Sequence, residues 1–221
     1  MPEIDKIIRS RRRTIALVIE GDGSLIVRAP LRASEKTIRE LVAQKADWVA
    51  RAQAKMRQNR PPERRFVAGE ALPLMGQAHP LKIVQTQRAS LAFENGVFLL
   101  AQKAQPRARE AFQLWYKKMA AVLLPARLET LAAKHNLHPK KVRISSARTR
   151  WGSCSTSGTI SLTWRLVMAP PEVIDYVIVH ELAHIKVKNH SKDFWNLVAD
   201  LMPDYKKHLG WLKKHGQSLD I

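Results

Sequence analysis

The stretch Val177-Ile178-Val179-His180-Glu181-Leu182-Ala183-His184 decides how the rest of this chain is read. Its core is His-Glu-x-x-His, set in a run of apolar residues at helical spacing. On an α-helix, residues four apart share a face, so His180 and His184 can reach one metal ion together. Glu181 is turned by about 100° from His180. That rotation takes it out of the ligand set and lets it touch a metal-bound water, the division of labour in zinc hydrolases. With 8 His and 11 Glu in 221 residues, chance produces the pattern roughly 0.01 times per chain of this composition. The bland alternative, a core-facing His pair with Glu181 in a surface salt bridge, is therefore weak. Val177, Ile178, Leu182 and Ile185 would also leave a buried imidazole without partners.

Ten residues beyond His180 stands His190. The interval Ile185-Lys186-Val187-Lys188-Asn189 is too short for another element. It lets the helix end near Asn189, a residue that tolerates the left-handed conformation of a helix C-cap. The chain then swings His190 back toward the metal. Three neutral imidazoles and a water complete an open tetrahedral site holding one zinc ion per chain. Asp193, Asp200 and Asp204, on the next helical stretch, are the competing carboxylates for the third position. Cys154 as a thiolate ligand is a lesser alternative.

A second run lies upstream. Arg148-Thr149-Arg150-Trp151-Gly152-Ser153-Cys154-Ser155 is followed by Gly158-Thr159-Ile160-Ser161-Leu162-Thr163-Trp164-Arg165-Leu166. Together with His180-Glu181-Leu182-Ala183-His184, Asn189-His190-Ser191 and Phe194-Trp195, it resembles the YgjP-like metallopeptidase family, most closely over residues 142–198. That family is related to the SprT and WLM (Wss1-like) zinc proteases. The resemblance implies a zincin-type fold, zinc bound by His180, His184 and His190, and Glu181 as catalytic base. Metzincins share the histidine spacing but need Gly where this chain has Val187, and Met202-Pro203 is a weak substitute for their Met-turn. A metzincin assignment is rejected.

Composition bounds the remaining possibilities. Hydrophobic residues make up 45% and charged residues 26% of the chain, a globular balance. Cys154 is the only cysteine, which excludes an internal disulfide framework and a multi-cysteine zinc ribbon. No apolar run approaches the ~18 residues of a membrane span, and the start, Met1-Pro2-Glu3-Ile4-Asp5-Lys6, lacks a signal-peptide core. A cytoplasmic location without membrane insertion is the expectation. The 38 Lys+Arg against 19 Asp+Glu give a net charge of +19, divided +10 and +9 between the halves. Such a field favours polyanions, so DNA, RNA or nucleotide contact through the basic surface stands beside a peptide or protein substrate.

Periodicity supplies the organisation. Residues 14–19 and 25–28 read as a hairpin around Gly21-Asp22-Gly23. Ser34 reads as the N-cap of one helix whose inward stripe runs from Ile38 to Met56. Arg57–Arg65, with Pro61-Pro62, reads as a basic linker. Asn95-Gly96 marks a further hairpin. A helix follows from Pro106 to about residue 135, kinked or divided at Pro125, and another begins near Glu172. Trp151 and Trp164 read as core aromatics and Cys154 as a small buried hydrophobe. Gly152 would permit close approach of another backbone, such as a substrate strand. Phe194, Trp195, Val198 and Leu201 read as core beneath the metal helix. Tyr205, Arg150 and Arg165 are candidates for oxyanion stabilisation. His79, His135, His138, His208 and His215 read as surface or loop residues.

The expected fold class is α+β and zincin-like: a strand-helix-strand N-terminal region, 1–105, then a metal-binding helical region with a small mixed sheet, 106–221. The expected function is a zinc-dependent metallopeptidase of the HExxH type, with a metal-bound water activated by Glu181. Two alternatives remain. Some YgjP-like proteins are associated with nucleoside triphosphate pyrophosphatase activity of the UTP type, which the basic charge suits. A nucleic-acid-associated binding module with structural zinc is the other, and it requires a fourth protein ligand.

Overall fold

The computed structural model describes residues 2–20, 22–58 and 63–221. The chain forms two compact units, Met1–Pro62 and Glu63–Ile221.

The first unit holds β1 (Lys6–Ser10), β2 (Ala16–Ile19), β3 (Leu25–Pro30), α1 (Glu35–Gln44) and α2 (Ala46–Gln58). β3 is central, parallel to β1 and antiparallel to β2. Its period of two turns Leu25, Val27 and Ala29 into a core shared with Ile38, Val42 and Val49. β1 escapes the periodicity because Lys-Ile-Ile-Arg-Ser has no clean alternation. Its position is set partly by Asp5, whose Oδ2 accepts from the Leu25 N–H at 2.7 Å. The expected Ser34 cap is present, its Oγ accepting from the Thr37 N–H at 3.1 Å. The single helix expected over 38–56 is instead two. Lys45 leaves the helical region (φ −104°, ψ 14°) and ends the first at Gln44.

The second unit adds β4 (Ala71–Leu74), β5 (Gln77–Val84), β6 (Leu91–Glu94), β7 (Val97–Ala101), α3 (Ala108–Lys134), β8 (Lys141–Ser145), β9 (Gly152–Cys154), β10 (Thr159–Thr163), α4 (Pro171–Lys186), α5 (Lys192–Leu201) and α6 (Tyr205–His215). Its sheets are β4–β5–β7–β6 and a small mixed one, β8–β10–β9. The Asn95-Gly96 hairpin forms as expected, both residues at positive φ (49° and 79°). α3 buries Phe112, Tyr116, Ala120, Leu124, Leu128 and Ala132, a stripe at four-residue spacing. Pro125 does not divide it. The carbonyl that loses its hydrogen bond belongs to the exposed Ala121, where water can replace the bond.

α4 is the centre of this unit, packed by α3, α5, α6, β9 and β10. Pro171 begins it at a position where a missing N–H does no harm. Arg127 of α3 fixes its first turns through two 2.7 Å bonds to Asp175. Among the described residues, no helix is long and apolar enough to cross a membrane.

Candidate metal centre

α4 carries His180, Glu181 and His184, and ends sooner than expected. Lys186 is its last residue, and Val187 is extended (φ −122°, ψ 112°). The expected left-handed cap at Asn189 is absent from the positive-φ residues. The β-branched Val187 takes the strand conformation it favours, and this exit has a use. The Val187 carbonyl turns back to the His184 ring, where Nδ1 donates to it at 2.9 Å. A neutral imidazole with its proton on Nδ1 presents a lone pair at Nε2, the arrangement that orients a ligating histidine.

The turn also returns His190. Its Nε2 lies 3.1 Å from His180 Nε2 and 3.2 Å from His184 Nε2. One ring nitrogen cannot donate to two others at once. A single cation satisfies all three lone pairs, and metal–nitrogen bonds of about 2.0–2.1 Å in tetrahedral geometry set nitrogens about 3.3 Å apart. Among the described residues, His180, His184 and His190 form the group able to hold a metal ion. Asp193, Asp200, Asp204 and Cys154 are not part of it. Burial and the neighbouring imidazoles depress the His180 pKa to about 4, and burial also lowers that of His184. Both rings are therefore neutral, as ligands must be.

Phe194 of α5 seats the rings. It is fully buried and packs on all three imidazoles, stacking on His184 at 4.4 Å. Trp195 lies face-on to His190 at 5.8 Å, and Tyr205 stacks on Trp195 and Tyr176. The Ser191 Oγ, accepting from the Phe194 N–H, caps α5 immediately after His190. The aromatic repeat is thus packing around the histidines.

Glu181, next to His180 on α4, is only 5% exposed. Burial pushes its carboxyl up to about 7, against the opposing pull of the Arg150 guanidinium. The room for it comes from Gly152 on β9. A Cβ at position 152 would stand 2.5 Å from Glu181 Oε1 and 2.6 Å from Cγ. Gly152 does permit a close approach, and the Glu181 side chain makes it. Glycine alone signals space without naming what fills it. Glu181 and His180 border one cleft of about 340 Å3 with Trp151, Gly152, Tyr176, Val177, Leu209, Leu212, Arg150 and Lys213.

The other sequence candidates separate. Arg150 reaches this cleft. Arg165 instead lies over the Trp164 ring and bonds Asp220 at 2.9 Å. Trp164 is core, whereas Trp151 is partly exposed and packs against Gly216. His208, expected at the surface, is buried and bonded to Asp204 at 2.9 Å. The Val187 carbonyl had no signal in sequence, because it follows from where a helix stops.

No curated protein matches the chain significantly. Two solved structures are similar over part of it. One is the metallopeptidase zymogen of Pyrococcus abyssi abylysin, with 25% identity, TM-score 0.39, 43% of this chain and 97% of that one. The other is the metallopeptidase zymogen of Methanocaldococcus jannaschii jannalysin, with 22% identity, TM-score 0.36, 41% of this chain and 95% of that one. The YgjP-like metallopeptidase domain matches residues 13–215, nearly the whole sequence, and the chain belongs to that family.

Proposed function

We propose that the chain is a zinc metallopeptidase in which His180, His184 and His190 hold the ion and Glu181 is the general base. The observation that carries this reading is the convergence of three imidazole nitrogens, one of whose rings, His180, borders a cleft with the buried Glu181 carboxyl. A zinc ion bound there would polarise a scissile carbonyl and acidify a water. Glu181 would take the proton of the attacking water and hand it to the leaving amine. A carboxyl near 7 in the metal-free chain suits both halves of that transfer at neutral pH. Arg150 would oppose charge building on the substrate oxygen.

The cleft also suggests how a peptide would lie. β9 ends its sheet, so its outer edge is free of strand pairing among the described residues. An extended substrate would add to it by main-chain hydrogen bonds. The apolar walls of Trp151, Tyr176, Val177, Leu209 and Leu212 would take a hydrophobic side chain. The test is hydrolysis of an unstructured protein by chelator-treated enzyme before and after stoichiometric zinc, with UTP assayed in parallel. The proposal expects zinc-restored proteolysis and intact UTP. UTP hydrolysis without peptide cleavage would overturn it.

A further inference from the structure

A second cleft, of about 490 Å3, lies on the β8–β10–β9 sheet. Ile160 and Leu162 of β10 turn into the core, so alternation sends Thr159 and Ser161 to the opposite face. In register with Ser161 stand Arg143 on β8 and Ser153 on β9. These residues line the cleft with Arg150, Ser155, Ser157 and Cys154. Two guanidiniums and five hydroxyls thus face one space, with no carboxylate among them.

Neither arginine is held in an ion pair. Nearby Arg127 pairs with Asp175, and Arg148 and Arg165 share Asp220. Arg143 and Arg150 have no ion-pair partner among the described residues. Lys141, opposite Thr159 in the register, extends the positive row along β8. Forked guanidiniums beside hydroxyl donors are the chemistry that holds phosphate oxygens.

We infer that this cleft binds the phosphodiester backbone of single-stranded nucleic acid. Its lining has no aromatic ring or large apolar wall on which a base could stack, so it reads backbone and not nucleotide identity. From β8 to β9 is two inter-strand gaps, about 10 Å, the width of one strand and not of a duplex. The +19 net charge of the chain adds a long-range attraction of the right sign. This cleft shares Arg150 alone with the cleft of His180 and Glu181, and Arg143 belongs to it only.

The experiment is anisotropy of a fluorescent oligothymidylate titrated with full-length protein at several salt concentrations. Each lost phosphate contact should lower the slope of log K against log salt by about 0.7. Arg143→Gln is therefore expected to weaken binding about three- to ten-fold at low salt, and Arg143→Gln/Arg150→Gln by more. Lys117→Gln/Lys118→Gln, which removes two exposed charges from α3, is expected to bind as the parent does. Melting curves confirm that each variant is folded. Equal losses in the α3 variant would overturn the site in favour of diffuse attraction. Absence of binding by the parent at low salt would overturn it outright. Displacement by millimolar inorganic phosphate at constant ionic strength would overturn the assignment to a polymer.

Discussion

The β1–β3–β2 sheet with α1 and the β8–β10–β9 sheet with α4 are built on one plan. In each, the third strand is central, parallel to the first and antiparallel to the second, and a helix follows. β5, β7 and β6 repeat it before α3. Yet α1 buries only Ile38 and Val42, whereas α4 buries nine of its sixteen residues. α1 needs one apolar stripe and a good cap. α4 is enclosed on several sides, so its sequence is largely apolar and Glu181, alone of its three acids, is buried. The plan of strands does not make a site; enclosure of the helix that follows does.

The largest effect expected from this contrast is at Glu181. Glu181→Gln keeps the carboxyl's shape but cannot accept a proton. The variant should retain its metal and lose peptide hydrolysis by about 10³-fold. Turnover measured beside metal content decides it, and residual activity within a few-fold of the parent would remove Glu181 from the chemistry.

Enclosure also fixes how stability responds to pH. In the folded metal-free chain the Glu181 pKa is about 7, against 4.5 when unfolded. The folded state therefore holds its proton longer, and Glu181 costs stability progressively as pH rises from about 4.5 to 7. His180 runs the other way. Its pKa is about 4 folded against 6.5 unfolded, so its contribution is intact above 6.5 and lost as pH falls toward 4. The two oppose each other in the parent. Glu181→Gln should gain on the parent from near zero below pH 4.5 to about 3 kcal/mol at pH 7. Denaturant midpoints of metal-free protein across that range measure it, and a constant difference would mean that Glu181 is already ionised.

Gly152 encloses Glu181 from the strand side. Gly152→Ala puts a methyl group where the Glu181 carboxylate lies. Activity should fall about 10- to 100-fold with metal content unchanged, and stability by about 1–3 kcal/mol. Unimpaired turnover would show that Glu181 does not need its present position.

The helix of His180 and His184 was legible because the two report one helix face by spacing alone. Hairpins were legible where Asn95-Gly96 or alternation supplied a local cause. What stayed hidden depended on distant partners. β1 is a strand because β3 lies beside it, and Gly152 is a glycine because Glu181 reaches it from α4. Cys154 and Ser153 gave no sign that their strand divides two clefts. The threefold recurrence of the strand plan left no sequence repeat, since pairing constrains the alternation of residues and not their identities.

The smallest expected effect belongs to the first unit. Ser34→Ala removes the oxygen that accepts from the Thr37 N–H and should cost about 1 kcal/mol. Peptide hydrolysis by the folded protein should not change. A calorimetric scan and an activity assay on one preparation test both, and lost activity in a folded variant would tie α1 to the cleft of Glu181.

His180, His184 and His190 are proposed to act together on one ion. The most direct test is metal per chain by mass spectrometry, comparing untagged parent with His190→Ala. About one zinc per parent chain is expected, with a clear reduction in the variant. A well-folded parent with little metal, or a variant that keeps its full content, would contradict it.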